Sequence, residues 1–308
     1  MTTRIHAPPG SDARRAFVGA SEVPALLGVS PYASAYSVWS RIVHGDQTET
    51  TLPMQIGHAL EPLILSAAAE YLGADVLPGG DAYLHACGVL GANLDGMTAA
   101  GEIIECKAWG ERDADLVASL GAPLDAIAPG KALSVWWQVQ TQMLCSGASV
   151  AHVAALCGKR LIVQRVEADA HAHALILAET TGFWRAHVDT GIAPAAAAAD
   201  VDALRRVRLS DSDVTVEAPD LAQTLDERER LRSERDALDA RLGDIDAAIR
   251  QRLGDARRLV CADWRVTRSL VSTQRVDTKA LRSLYPEAAA ACTATTTSDR
   301  MTVARSAR

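Results

Sequence analysis

The chain is expected to fold as an α/β protein with a helical C-terminal extension, and three features of the sequence lead to that class. Apolar residues recur at helical spacing in separate segments, as at Ile56, Leu60, Leu63, Ile64 and Leu72. Between such segments stand short β-like runs, of which Ile103-Ile104-Glu105-Cys106-Lys107 is the clearest. After an Ala/Pro-rich stretch at 191–200, a long charged helical pattern begins. With 308 residues there is room for one domain of about 200 residues and a smaller unit. The boundaries read as a domain over 1–190, a linker over 191–219 and an extension over 220–308.

Each element has a local reason. Ser21 to Leu27 reads as a helix that stops at Gly28, and Ser30-Pro31-Tyr32 is turn chemistry leading into a helix from Ala35 to Val43. Gln55 to Leu72 is helical, closed by Gly73. Strands are expected at Ala82–His85, Val89–Asp95 and Glu102–Ala108. A helix over Leu133–Cys145 follows, then strands at Ser149–Leu156 and Arg160–Val166 and a helix over Ala170–Val188. In the extension, Asp220 to Leu253 is one long helix whose seam (Leu231, Leu238, Leu242, Ile245, Ile249) is broken by Arg228 and Arg235, which favours a packing helix or arm over a free coiled coil. Strand-like runs at Trp264–Arg268 and Arg300–Ala304 flank a helix at Asp277–Leu284. No internal repeat is visible.

Composition narrows the function classes. No apolar run approaches the roughly 18–20 residues of a membrane span, and the N-terminal residues show no hydrophobic signal core, so a cytoplasmic location is expected. The six cysteines are scattered, without a C-x-x-C pair, which argues against zinc and iron–sulfur sites and for reduced thiols. A formal charge of −7 weighs against a nucleic-acid partner, because phosphate contact calls for basic surface. Net charge is an average, however, and an arginine-lined channel is compatible with an acidic exterior.

The chemistry concentrates between Asp95 and Lys107. Residues i and i+2 of a strand share a face, so Glu105 and Lys107 project together while Ile104 and Cys106 form the opposite, apolar face. A hairpin through Ala99-Ala100-Gly101 would bring Asp95 across from them. The chain has only four lysines against 27 arginines, so Lys107 reads as selected for being lysine. Two carboxylates and a cation converging on one point suit divalent-metal phosphodiester chemistry. In isolation the pattern is weak, since charged alternation also occurs on ordinary solvent-facing strands.

The surrounding segments strengthen it. Gly19-Ala20-Ser21-Glu22-Val23, Leu27-Gly28-Val29-Ser30-Pro31-Tyr32, Gly57-His58-Ala59-Leu60-Glu61-Pro62 and Trp136-Trp137-Gln138-Val139-Gln140 occur in this order around Asp95, Glu105 and Lys107. Together they resemble the YqaJ-type viral recombinase family, which includes the alkaline exonuclease of phage lambda and belongs to the PD-(D/E)-x-K nuclease superfamily. The resemblance covers residue 14 to about 190; Leu94 stands where the superfamily often has proline. It implies a restriction-endonuclease-like core with a central mixed β-sheet flanked by helices. It also implies metal ligands at Asp95, Glu105, the Cys106 carbonyl and the helix acid Glu61, a catalytic lysine at Lys107, and a Q-x-Q helix contributing Gln138 and Gln140. Ser21 with Arg14 or Arg15 matches the family's pocket for a 5′-phosphate. The implied cofactor is Mg²⁺, with Mn²⁺ as an alternative and two ions per site expected. The implied activity is 5′–3′ exonuclease digestion of double-stranded DNA to 5′-mononucleotides, leaving 3′ single strands for recombination. The implied partners are DNA ends, further copies of the chain in a ring such as a trimer, and a single-strand annealing protein.

Several assignments stay open at the sequence level. Gln138 and Gln140 cannot both share one helix face with Trp137, and Gln138, which pairs at i,i+4 with Gln142, is preferred for the site. His58 lies one turn before Glu61 and is more readily a capping or core histidine than a ligand. A structure- or sequence-specific endonuclease on the same scaffold is the competing enzyme, and a catalytically silent DNA-binding or assembly protein is the competing non-enzyme.

Overall fold

In a computed structural model of the chain, the described residues are 3–7, 11–45, 50–197, 200, 204, 215, 217–272, 276–293 and 303. They divide into two compact units, Met1–Arg208 and Leu209–Arg308.

In the first unit, β1 (Thr3–Ile5) and β2 (Val18–Gly19) precede α1 (Val23–Leu26), α2 (Ala35–His44) and α3 (Leu52–Leu72). Five strands follow: β3 (Val76–Pro78), β4 (Ala82–Leu84), β5 (Leu90–Ala92), β6 (Gly96–Thr98) and β7 (Ile103–Trp109). Then come α4 (Ala114–Ser119), α5 (Lys131–Ser146), β8 (Val150–Cys157), β9 (Arg160–Glu167) and α6 (Ala170–Phe183), which runs on as a π-helical turn over Trp184–Val188. A five-stranded mixed sheet has the order β3-β6-β7-β8-β9, with β7 and β8 parallel and the other neighbours antiparallel. A second sheet has the order β1-β4-β5-β2; its strands β4 and β5 fall within two expected strands, whereas β1 and β2, of three and two residues, are too short for alternation to show.

The central strand β7 separates two apolar clusters. Ile104 and Cys106 face Ile64 and Ala68 of α3 and Ala154 of β8. Ile103 lies in the larger cluster, with Val135, Val139 and Met143 of α5 and Ile176 of α6. Because β7 alternates, Glu105 and Lys107 fall on the α5 side with Ile103. The helix α3 carries Pro62 inside its span, which removes one backbone donor in the turn bearing Glu61.

In the second unit, α7 (Ala222–Leu253) is followed by the antiparallel hairpin β10 (Arg258–Cys261) and β11 (Trp264–Thr267), and by α8 (Thr278–Leu284) and α9 (Pro286–Ala291). Asp277 caps α8 by accepting from the Lys279 and Ala280 amides. The α7 seam is solvent-exposed at Leu231, Leu238, Leu242 and Ile245, so of the two expected forms, a packing helix or an arm, it is not the packing helix. The strand-like run at Arg300–Ala304 lies outside the described residues except for residue 303. No helix among the described residues is long and apolar enough to cross a membrane.

Candidate active site

Asp95 sits one residue before β6. The register Gly96↔Ile104, continued one step, places it opposite Glu105 as the hairpin reading requires. Past the Gly96↔Ile104 pair the edge of β7 has no backbone partner on that side among the described residues, and the Cys106 amide instead donates to Asp95 Oδ2 at 2.7 Å. A strand residue's N–H and C=O point to the same side, so the Cys106 carbonyl shares this open edge. The Gly79 amide holds the segment from behind, donating to the Asp95 carbonyl at 2.8 Å. A Cβ at Gly79 would lie 1.6 Å from the Leu94 carbonyl oxygen, so no side chain fits this approach.

Glu105 is 2% exposed and fully engaged. Lys107 Nζ donates to its Oε1 at 2.5 Å and Gln138 Nε2 donates to the same oxygen at 2.7 Å. Gln142 Nε2 donates to Oε2 at 2.6 Å and lies 3.1 Å from the Asn93 carbonyl. Lys107 also donates to Gln138 Oε1 at 3.2 Å, so the amide bridges acid and base. Four residues apart on α5, Gln138 and Gln142 reach the cluster from one helix face. Gln140 is on another face. Its Nε2 donates to the Glu167 carbonyl at 2.7 Å and its Oε1 accepts from the Asp169 amide at 2.9 Å, joining α5 to the β9–α6 junction. Of the Q-x-Q pair, then, only Gln138 reaches the cluster. Gln142, whose i,i+4 spacing to Gln138 was the visible signal, takes the second place.

The electrostatics are those of crowded acids. Burial, then the charge of Glu105, pushes the Asp95 carboxyl up to about 8, against the opposing pull of Lys107 and the Cys106 amide. Burial alone would lower Lys107, but Glu105 and Asp95 outweigh it and hold its pKa above the ordinary lysine value. Burial, reinforced by Asp95 and Glu105, pushes the Cys106 thiol up. Its side chain belongs to the apolar cluster, so only the carbonyl of Cys106 is available as a ligand.

A cleft of about 440 Å³ opens beside Asp95 and Gln138 and is also lined by Arg14, Ser21, His58 and Glu61. Glu61 is half-buried at the rim. His58 is exposed, with Nδ1 3.7 Å from Glu61 Oε2. Arg14 is held inward: its guanidinium lies 4.7 Å over the Phe17 ring and its Nη2 is 3.6 Å from Glu22 Oε2. Its Nη1 is buried and has no hydrogen-bond partner among the described residues. Burial pulls its pKa down, Glu22 opposes this and Arg41 adds to it, yet guanidinium stays charged. Glu22 is itself fixed, accepting from the Gly19 amide at 2.7 Å and from Arg41 through both oxygens. Arg41 also donates to the Arg14 and Phe17 carbonyls at 2.8 and 3.0 Å. A Cβ at Gly19 would lie 1.7 Å from Arg14 Nη2. Glu22 and Arg41 were not singled out from sequence, because nothing local shows that they meet.

Arg15 does not reach the cleft. It donates to the Ile42 and Val43 carbonyls and caps the end of α2. Ser21 lines the cleft, but α1 behind it is only one turn long, so Arg14 carries the positive charge there.

Among the described residues, no three His, Cys, Asp or Glu side chains close into a metal cage. The donor set nevertheless suits a hard divalent ion. Mg²⁺ ordinarily takes one or two carboxylates and completes its shell with water and substrate phosphate. Asp95 and Glu105, with a carbonyl at the open strand edge, are such a set, and their mutual repulsion calls for a cation.

The mixed sheet thus brings Asp95, Glu105 and Lys107 together next to an open cleft. Residues 11–149 match the YqaJ-like viral recombinase domain. This stretch contains all the residues of the cluster and the cleft. Among solved structures, the chain is similar to an alkaline exonuclease, LHK-Exo, from Laribacter hongkongensis, at 25% identity and a TM-score of 0.48, over 58% of this chain and 91% of that one. A complex of LHK-Exo with dAMP aligns at 24% identity and a TM-score of 0.48, over 59% and 92%. A phage related exonuclease from Haemophilus somnus 129PT aligns at 12% identity and a TM-score of 0.44, over 57% and 96%. No curated protein sequence matches the chain.

Proposed function

We propose that the chain is a Mg²⁺-dependent 5′–3′ exonuclease of double-stranded DNA that releases 5′-mononucleotides and leaves 3′ single strands for phage-type recombination. The observation that carries this reading is the shared cleft: Asp95 and Gln138, the latter bonded to Glu105 and Lys107, line the same space as Arg14 and Ser21.

Asp95, Glu105 and the Cys106 carbonyl would hold Mg²⁺, with Glu61 placed for a second ion or its water, and the metal would supply Lewis-acid polarisation of the scissile phosphate. Gln138 and Gln142 orient Glu105, leaving its carboxylate one fixed direction. Lys107, protonated beside two acids, steers the attacking water and stabilises charge developing on the phosphoryl oxygens. Arg14 and Ser21 bind the terminal 5′-phosphate, which commits the enzyme to ends. The resemblance extends this reading to a ring of copies, with a trimer as the expected form, threaded on DNA and working with a single-strand annealing protein.

The test is digestion of a linear duplex, 5′-phosphorylated or 5′-hydroxyl, in Mg²⁺ or EDTA, by wild type and Lys107→Ala. Mononucleotides should appear in Mg²⁺ only, faster from the 5′-phosphate, and fall by about three orders of magnitude in the variant. Internal cuts in a closed circle would replace this reading with the endonuclease.

A further inference from the structure

The second unit contains a basic surface that the catalytic reading does not use. Residues 254–272 hold four arginines and two aspartates in a chain of net charge −7. The hairpin register pairs Arg258 with Thr267 and Val260 with Arg265, so these four side chains share one face. All four are exposed. On the opposite face Leu259 and Val266 are partly buried, while Cys261 and Trp264 are exposed. The solvated face of Arg258, Val260, Arg265 and Thr267 is framed diagonally by two arginines.

Those arginines lack the usual local explanations. On α7, Arg230 bonds Glu227 and Glu234, and Arg235 bonds Asp236. Arg250 and Arg252 lie in the last turn of α7, where the helix dipole favours cations. Arg268 folds back onto the Gly254 carbonyl at 2.8 Å. Arg258 and Arg265 have no ion pair among the described residues and stand on strands, where no dipole favours them. Two guanidinium groups on a narrow two-stranded ribbon, with no carboxylate on that face, match a phosphate backbone in charge and in shape.

We infer that the exposed face of the β10–β11 hairpin, through Arg258 and Arg265, binds backbone phosphates of the duplex DNA that the first unit processes. This rests on reading the first unit as a DNA nuclease. The surface adds affinity without sequence preference, because phosphate contacts carry no base information.

The test uses the full chain with a fluorescent duplex in EDTA, where no cleavage occurs, and follows binding by anisotropy from 50 to 200 mM salt. Each phosphate contact contributes a slope of about −0.9 in log K against log salt. The double variant R258A/R265A should flatten the slope by nearly two and bind more weakly, with an unchanged thermal midpoint. R258K/R265K should recover most of the slope. An unchanged slope and affinity in the alanine variant would overturn the inference. Cleavage by wild type in Mg²⁺ is scored separately. A protein whose binding depends on the hairpin but which never cuts keeps this surface and loses the nuclease reading; one that cuts with an unaltered slope does the reverse.

Discussion

Arginine is used in opposite ways in the two units. In the first, Arg14 is buried over Phe17 beside a carboxylate that Arg41 and the Gly19 amide hold still, and one guanidinium nitrogen has no hydrogen-bond partner among the described residues. In the second, Arg258 and Arg265 stand in water on a two-stranded hairpin. A preorganised cation loses little entropy on binding but suits one geometry. A solvated one accepts phosphate in many geometries and is weakened by salt. The first arrangement is suited to recognising an end, the second to following a backbone.

The largest expected effect breaks this comparison at Arg14. In Arg14→Ala, kcat/KM on 5′-phosphorylated duplex should fall by about a hundredfold, the scale of a lost charge-assisted contact. Digestion of 5′-hydroxyl duplex should change little, so the preference for phosphate disappears. Glu22→Gln, which leaves Arg14 present but loosens its support, should cost about tenfold, mainly in KM. Equal losses on both kinds of end would assign Arg14 to folding. Equal losses of end preference in Arg14→Ala and R258A/R265A would erase the distinction between the units.

A second comparison concerns acids. Asp95 is held up to about 8 from an ordinary 3.8, chiefly by burial and Glu105. The folded protein therefore binds a proton that the unfolded chain has released, and metal-free stability should fall as pH rises from about 4 to about 8. Below that window both states are protonated and the contribution is complete; above it the penalty is constant. Asp95→Asn keeps an acceptor for the Cys106 amide and removes the charge. In EDTA at pH 8 the variant should be about 2 kcal/mol more stable than wild type, the scale of one poorly compensated buried group. The gain should shrink toward pH 4. Thermal melts across this range decide it, and a gain that does not vary with pH would mean that charge is not the cause.

Much of this site was legible in the sequence because its geometry is short-range. Strand alternation placed Glu105 and Lys107 together, and a two-strand hairpin brought Asp95 opposite them. What was hidden depends on contacts between distant segments. Nothing in the local pattern shows that Arg41 of α2 grips Glu22 beside Arg14, or that Arg15, adjacent to Arg14, turns to cap α2. In the second sheet β4 and β5 were legible as strands, but β1 and β2, of three and two residues, are too brief for periodicity. The exposed seam of α7 shows the converse limit: leucines at heptad spacing mark a face, but not what covers it.

The smallest expected effects separate two glutamines on one helix. Gln140 is fully buried and satisfies the Glu167 carbonyl and Asp169 amide rather than Glu105. In Gln140→Ala those two backbone groups lose their partner, so the protein should be destabilised by about 2 kcal/mol while the rate per folded molecule stays near wild type. Gln142→Ala removes one of the three donors that fix Glu105, and should lower the single-turnover rate by about tenfold. Its stability should change less, because Gln142 Oε1 is buried without a partner among the described residues and its removal offsets part of the lost bonds, whereas both polar atoms of Gln140 are bonded. The contrast needs both readouts. A slow but stable Gln140→Ala would restore the Q-x-Q pair as the catalytic unit, whereas the expected pattern assigns that role to Gln138 and Gln142, which share the helix face turned toward Glu105.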